Sequence, residues 1–133
     1  MKLQIRTTFD FGKLAQQMPK ILEKHTQRTA RSSATGAREA IDKGVSPPLK
    51  KSTIARRKRA GTGGSKPLFE TGELFRSIKG TSEGLEMWDY GLYHHQGHKK
   101  GHFPPRPFIF PSEKTILKSF DAFRKDIRKA LKK

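Results

Sequence analysis

A long amphipathic segment near the N-terminus constrains the fold of this chain more than any other feature. Apolar and small residues recur every three or four positions from Leu14 to Ile41, which is the spacing of one helical face. Asp10 is placed to cap the start of this helix near Phe11, and Gly44 is placed to end it. Pro19 predicts either a kink or a later start. Such a helix needs a second layer of structure to cover its apolar face.

Short segments with alternating polarity predict the sheet that provides this second layer. The first alternates over 3–9, and its apolar side is Leu3, Ile5, Thr7 and Phe9. Residues 77–81 and 85–88 predict the two strands of a β-hairpin joined at Ser82-Glu83-Gly84. The proline-rich segment 104–111 predicts a last strand with Phe108 and Phe110 on one face, and Pro107 confines this strand to a sheet edge or lies at its start. Small residues of the long helix, around Ala34 and Ala37, favour close packing on this sheet, with a subunit interface as the alternative.

A second amphipathic helix closes the chain. Ser112 is placed to cap it, and Glu113 lies in its first turn, where a negative charge is favourable. Its apolar stripe comprises Ile116, Leu117, Phe120, Phe123, Ile127 and Leu131. We therefore predict an α+β fold, in which a small, mainly antiparallel sheet is packed by a long N-terminal helix and a C-terminal helix, with extended loops and arms. The 133 residues fit a single domain spanning 1–133.

The segment Lys66–Ile78 links the basic middle of the chain to the predicted sheet. Pro67 fixes a turn, and Leu68 offers an apolar anchor beside it. Thr71 is placed to cap a short helical turn from Gly72 to Arg76. Upstream, Ser52 is placed to start a short helix over 53–60, which a glycine-rich loop follows.

Charge is the strongest compositional signal. The formal net charge is +17, which predicts an anionic partner such as nucleic acid or an acidic protein surface. The candidate contacts to DNA or to a neighbouring subunit lie in and beside a basic, flexible loop at about 56–66: Arg56, Arg57, Lys58, Arg59 and Lys66. The alternative is a solvated charged arm. With no cysteine, no signal peptide expected and no apolar run of membrane-spanning length, we expect a soluble protein without disulfides and no membrane partner.

Two patterns that would indicate chemistry are incomplete. The glycine-rich loop is not a phosphate-binding loop, because Pro67 rather than Ser or Thr follows Lys66. His94, His98 and His102 are spaced by four, but intervening glycines interrupt a helix and no Cys or carboxylate completes a metal site. We therefore expect no catalytic residues, no bound metal and no cofactor, and interpret the histidines as part of a polar loop.

Three segments, taken together and in order, resemble a known family. They are Pro48-Leu49 with Ser52-Thr53-Ile54 and Arg57-Lys58; Lys66-Pro67-Leu68 with Thr71-Gly72-Glu73-Leu74 and Ser77-Ile78; and Tyr93 with His95-Gln96-Gly97 and Pro105-Arg106-Pro107-Phe108. This set resembles the phage virion morphogenesis family, the tail completion proteins of tailed bacteriophages, which are related in fold to tail-to-head joining and tail terminator proteins. The resemblance covers most of 48–110. The chain departs from it in the basic loop of 56–65 and in the doubled histidine at 94–95.

The resemblance implies a structural role in the virion and no enzymatic activity. Such a subunit forms a ring, with six copies expected, at the neck or tail end, where it caps the tail tube or joins tail to head while DNA passes through. Its partners would be its own copies, the tail tube protein and the head-tail connector or neck proteins, with nonspecific contact to packaged double-stranded DNA. It would assemble in the bacterial cytoplasm. The family-motif positions are Pro67, Leu68, Thr71, Gly72, His95, Gln96, Gly97, Arg106, Pro107 and Phe108.

Two further hypotheses come from the residues alone. The net charge is compatible with a standalone nucleic-acid-binding protein, which would bind DNA or RNA tightly and in a salt-sensitive manner. The histidines are compatible with a small metal-dependent enzyme, which would carry zinc or iron after purification.

Overall fold

The computed structural model describes residues 9–111 and 113–132. In chain order its elements are α1 (Phe11–Lys43), α2 (Lys51–Ala60), α3 (Glu73–Ser77), β1 (Lys79–Gly80), β2 (Leu85–Glu86), α4 (Tyr90–Gln96) and α5 (Glu113–Leu131). The predicted α+β class is confirmed, because α1 packs against both α5 and a small antiparallel sheet. Within the described ranges, no helix is both long and apolar enough to traverse a bilayer.

The ends of α1 follow from local chemistry that the sequence predicts. Asp10 caps the first turn, where its Oδ1 accepts a hydrogen bond from the Lys13 N–H at 2.9 Å. Gly44 ends the helix at a φ of 94°, a conformation that favours glycine. The helix begins at Phe11 and continues through Pro19. α1 is therefore one continuous helix of 33 residues, against which β1, β2 and α5 pack.

The predicted hairpin is confirmed, with shorter strands than the pattern indicates. Lys79 lies opposite Glu86, and Gly80 lies opposite Leu85. A side chain at Gly80 would overlap the backbone of α1 at Ala30 and Arg31. Glycine in β1 therefore allows the sheet to approach α1 backbone to backbone.

The predicted caps of the two short helices are only partly right. Ser52 lies inside α2, which begins one residue earlier and has no side-chain cap. Gly72, at a φ of 77°, occupies the cap position of α3. Thr71 lies one residue before it, and its hydroxyl accepts a hydrogen bond of 3.4 Å from the Glu73 N–H. Thr71 thus supports the first turn from outside the helix.

The prediction of a last strand over 104–111 is wrong for the described residues. The segment forms no regular secondary structure and pairs with no described strand. Prolines remove several of its backbone donors, and the N–H groups of Phe108 and Ile109 donate to the His95 ring instead. The predicted first strand and the predicted Ser112 cap lie outside the described residues, apart from Phe9, which forms a single antiparallel bridge with Lys132.

The core is small and lies against the C-terminal half of α1. Its buried members are Ala34, Ala37, Ile41, Val45, Leu74, Ile78 and Phe108. The small residues of α1, such as Ala34 and Ala37, therefore pack within the subunit, as predicted. Bulk in this core comes mainly from Phe108, Ile41 and Ile78, all essentially inaccessible to solvent.

Candidate functional site

The three sequence segments of the family resemblance meet in one cleft, which we call the motif cleft. It has a volume of about 250 Å³. Its lining comes from the connector between α1 and α2, from α2, from the turn before α3 and α3 itself, and from α4 and the segment after it: Leu49, Arg57, Leu68, Glu70, Thr71, Gly72, Glu73, Leu74, Tyr90, His94 and Arg106. Segments that are far apart in the sequence are thus held together by their side chains.

Arg106 ties the third motif segment to the first. Its Nε donates to the Pro47 carbonyl at 2.8 Å, and its Nη2 donates to the Pro48 carbonyl at 3.4 Å. Its own N–H donates to the His94 carbonyl at 2.8 Å. Burial lowers the pKa of Arg106, and the positive charge of Arg57 lowers it further. The guanidinium is therefore a buried structural link.

Arg57 has a structural role like that of Arg106, although in the sequence it lies in a run of basic residues. It is only 6% exposed. Its Nη1 donates to the carbonyls of Lys66 at 2.9 Å, Gly64 at 3.3 Å and Phe69 at 3.5 Å. Its Nε lies 3.7 Å from a carboxylate oxygen of Glu70. The side chain holds the glycine-rich loop closed and, while these bonds persist, is not presented to an external phosphate.

The other predicted basic contacts lie on the surface. Arg56 pairs with Glu70 at 3.3 Å, and Lys66 pairs with Asp42 at 2.9 Å. The hydrogen bond from Lys66, with its charge, lowers the pKa of Asp42. Lys58 and Arg59 are exposed on α2. The structure therefore separates one inward arginine from an accessible basic surface formed by its neighbours.

His95 organises the segment that follows the cleft. Its Nδ1 accepts hydrogen bonds from the Phe108 N–H at 3.1 Å and the Ile109 N–H at 3.3 Å. A nitrogen that accepts two such bonds carries no proton, so this geometry favours the neutral tautomer protonated on Nε2. Gln96 ends α4, and Gly97 turns the chain at a φ of 80°. The bonds to His95 position Phe108 for burial, and Pro107 precedes it in the extended segment.

The turn before α3 stores backbone strain. Leu68 has a φ of 63°, which is uncommon for a residue with a side chain. Pro67 beside it is buried. A side chain at Gly72 would meet the Arg76 guanidinium and the Phe69 ring. The four motif residues of this turn therefore have mainly conformational roles in the subunit.

The three histidines of the metal hypothesis lie in different surroundings, and His102 is exposed in the loop after α4. His94 lies on α4 and packs on Phe103 with ring centroids 5.0 Å apart, whereas His98 packs on Tyr93 at 4.9 Å. Burial lowers the pKa of His94, and the charge of Arg106 adds to this effect. Among residues 9–111 and 113–132, no three His, Asp or Glu side chains form a group that could hold a metal ion.

A second concave surface, which we call the apolar groove, lies between α1, α5 and β2. Its volume is about 570 Å³. Its lining includes no Lys, Arg, Asp or Glu: Leu22, His25, Thr26, Thr29, Ala30, Ser33, Gly84, Leu85, Ile109, Ile116, Ser119, Phe120 and Phe123. His25 joins the two helices, with its Nε2 2.7 Å from Asp126 and its ring 5.3 Å from that of Phe123. The α5 stripe predicts these apolar residues but not that Phe120 is 62% exposed.

Four further exposed apolar side chains, three of them aromatic, lie in α4 or just before it: Trp88, Tyr90, Leu92 and Tyr93, each at least 41% exposed. We call this group the aromatic patch. In β2, Leu85 lines the apolar groove, whereas the next residue, Glu86, lies beside Trp88 and Lys79. Because successive side chains of a strand point to opposite faces, the apolar groove and Trp88 lie on opposite faces of the hairpin.

The motif cleft, the apolar groove and the aromatic patch must be interpreted from their own geometry. Comparison of this chain with protein-family models, with curated proteins and with solved structures finds no match.

Proposed function

We propose that this protein is a structural subunit of a tailed bacteriophage virion. In this proposal it forms a ring at the neck or tail end, as a tail completion or tail terminator subunit that caps the tail tube, joins tail to head, or does both. The copies would contact one another, the tail tube protein and the head-tail connector or neck proteins.

The observation that carries this proposal is the distribution of apolar side chains. Among residues 9–111 and 113–132, only a few large side chains are fully buried, whereas many others are exposed. The exposed set is Phe9, Phe11, Leu22, Trp88, Tyr90, Leu92, Tyr93, Phe103, Phe110, Ile116, Leu117 and Phe120. Contiguous exposed apolar surface marks interaction sites in soluble proteins, and a subunit that assembles can leave part of its apolar surface for its neighbours.

The motif cleft supports the same proposal. The segments that resemble the phage family meet there, and their arginine, histidine and glycine residues hold backbone and turns in place. Groups that are already satisfied by backbone carbonyls are suited to building a rigid subunit. The net charge of +17 suits a channel that carries DNA.

The test is assembly, followed by tail-tube binding. Purified protein at high concentration is expected to form a discrete ring, measured by light scattering and negative-stain imaging, and to bind the ends of purified tail tubes. Particles made without the protein then distinguish the two roles. Full heads beside separate tails would indicate joining, whereas overlong or unstable tails would indicate termination. A monomer at every concentration that binds no tail tube would overturn the proposal.

The accessible side chains of α2 support a second candidate, a standalone nucleic-acid-binding protein. Arg56, Lys58 and Arg59 are exposed on one short helix. Such a protein would bind duplex DNA with an affinity that falls steeply with salt. Neutralising these three residues to Gln should reduce the salt dependence, whereas Lys99→Gln with Lys100→Gln is a control of similar chemistry elsewhere on the surface. No binding at low salt would remove this candidate.

A further inference from the structure

Four aromatic rings from α4 and from the loop after it pack side by side. The ring centroids of Tyr93 and His98 lie 4.9 Å apart, and those of His94 and Phe103 lie 5.0 Å apart. A side chain at Gly101 would touch the rings of both His98 and Phe103, so the two pairs are adjacent. Tyr93 is 50% exposed and Phe103 is 44% exposed. We call these four residues the four-ring cluster, and it presents aromatic surface to solvent.

The loop after α4 is a tight turn that carries two of these rings. His98 and Phe103 form an antiparallel bridge, in which the N–H of each donates to the carbonyl of the other at 3.1 Å. Inside the bridge, the His102 N–H donates to the Lys99 carbonyl at 3.3 Å, and the Gly101 N–H donates to Nδ1 of His98 at 2.8 Å. Because bridge partners lie directly opposite each other, their side chains point to the same side of the turn. The turn therefore holds its tip at a fixed position beside the two rings.

The tip of this turn carries two cations that are available to a ligand. Lys99 and Lys100 are both exposed. Within the part of the chain that the structure describes, neither ammonium group pairs with a carboxylate, whereas Lys66 pairs with Asp42. Asp89 precedes α4 and lies one turn before Tyr93, away from the loop. An anionic ligand is therefore expected on the loop side of the four-ring cluster.

From this arrangement we propose that the four-ring cluster and the tip of the turn bind single-stranded nucleic acid. Bases stack on Tyr93 and Phe103, and phosphates lie against Lys99 and Lys100. Exposed aromatic rings beside cations are suited to unpaired strands, because every base offers a flat face and every nucleotide carries a negative charge. This site goes beyond the proposed virion role and does not include the basic side chains of α2.

Three other ligands would use only part of this surface. A small cation held between aromatic rings would be repelled by Lys99 and Lys100. Duplex DNA would meet the two ammonium groups, but its bases are already stacked on one another and leave no face for the aromatic rings. An acidic peptide would pair with the ammonium groups and has no flat group to place on Tyr93 or Phe103. A single strand is the ligand that uses the rings and the cations together.

The test of stacking is the binding of a fluorescein-labelled oligothymidylate of about 12 nucleotides and of a duplex of the same length, measured by anisotropy. Tyr93→Ala is expected to weaken single-strand binding by about 5- to 10-fold and to change duplex binding by less than about 2-fold. Phe103→Ala should have the same effect, whereas Tyr93→Phe keeps the ring and should retain the affinity. Phe11→Ala, at a position 60% exposed at the start of α1, is the matched control and should change neither affinity.

The phosphate contacts are measured separately through the salt dependence of binding. Lys99→Gln with Lys100→Gln should reduce the slope of log K against log salt for the single strand by about 1.4, which is about 0.7 for each lost contact. Lys58→Gln with Arg59→Gln removes the same charge from α2 and should leave this slope unchanged. An oligouridylate of the same length is expected to show the same losses, since neither the stacking nor the phosphate contacts involve the 2′-hydroxyl.

Four results would overturn the site. The first is the absence of single-strand binding at low salt, and the second is full affinity in both Tyr93→Ala and Phe103→Ala. Equal losses of single-strand and duplex affinity in Tyr93→Ala would show that its ring supports the surface and does not contact bases. Polyglutamate that displaces the oligothymidylate as well as an unlabelled strand of equal charge would identify an acidic protein surface as the ligand. Each of these results leaves the proposed virion role intact, because ring assembly and tail-tube binding are measured without nucleic acid.

Discussion

The C-terminal half of α1 and the N-terminal half of α5 carry similar apolar patterns but differ in what covers them. Ala37 and Ile41 are fully buried beneath Leu74, Ile78 and Phe108. In α5, Ile116, Leu117 and Phe120 are between 48% and 62% exposed. An amphipathic stripe therefore predicts a helix and which of its faces is apolar. It does not predict whether other residues of the same chain cover that face.

The two regions differ because of their neighbours along the chain. The hairpin and the 104–111 segment both return to the C-terminal half of α1, where glycine and alanine allow close contact. In contrast, α5 meets α1 mainly through its C-terminal half, where Asp126 lies 2.7 Å from His25. Near the end of α5, the N–H of Asp10, the cap of α1, donates to the Leu131 carbonyl at 2.8 Å, and Ala130 is buried. The exposed half of α5 is thus left to line the apolar groove.

The largest expected effect separates the covered region from the exposed one directly. Phe108→Ala should reduce the free energy of unfolding of the subunit by about 3 to 5 kcal/mol, because it removes a fully buried ring from the core. Phe120→Ala should change it by less than about 1 kcal/mol and should instead weaken self-association. Urea unfolding at low protein concentration measures the free energy of unfolding of both variants. Equal losses would show that α5 is as well covered as the core.

A second test concerns Arg106, whose side chain links the segment after α4 to the carbonyls of Pro47 and Pro48. Arg106→Met keeps the length of the side chain but leaves the Pro47 and Pro48 carbonyls without their donor. We expect a loss of about 1.5 to 3 kcal/mol in the free energy of unfolding. Arg59→Met, on the exposed side of α2, removes the same charge and should have almost no effect. A small effect of Arg106→Met would mean that the connector is held by packing alone.

A third test concerns the close approach of the sheet to α1. Gly80→Ala should destabilise the subunit by about 1 to 3 kcal/mol, because the new methyl group overlaps the backbone of Ala30 and Arg31. Gly64→Ala is the matched control, since nothing lies within 4 Å of its added methyl group. Thermal unfolding of the two variants gives the comparison. Similar melting temperatures would indicate that the hairpin can move away from α1 at little cost.

The smallest expected effect is a pH dependence of the motif cleft. Burial, with the nearby charge of Arg106, lowers the pKa of His94 below its ordinary 6.5. The unfolded chain then binds a proton that the folded chain resists, so stability is full above pH 6.5 and falls as the pH drops through the lower, folded pKa.

The variant His94→Phe keeps an aromatic ring against Phe103 and removes the titration. It should flatten the decline of unfolding free energy between pH 6.5 and the lower, folded pKa of His94. A wild-type profile with no decline in this interval would contradict the assignment to His94.

Much of the candidate site was only partly predictable from the sequence. The spacing of the family motifs indicates which segments matter, but it assigns Arg57 to the same surface as its basic neighbours. Its burial depends on carbonyls at Gly64, Lys66 and Phe69, which a local pattern does not reveal. The edge strand expected over 104–111 fails for a similar reason, because the imidazole of His95 accepts the donors that a neighbouring strand would have used.

The sequence by itself determined the local elements. Asp10 and Gly44 set the ends of α1, the spacing of apolar residues set both long helices, and the turn at 82–84 set the hairpin, because each depends on residues only a few positions apart. Tertiary structure alone decided which apolar faces are covered and which arginines point inward. Those outcomes depend on segments brought together from distant parts of the chain, where the geometry of the fold, rather than neighbouring residues, selects the partner.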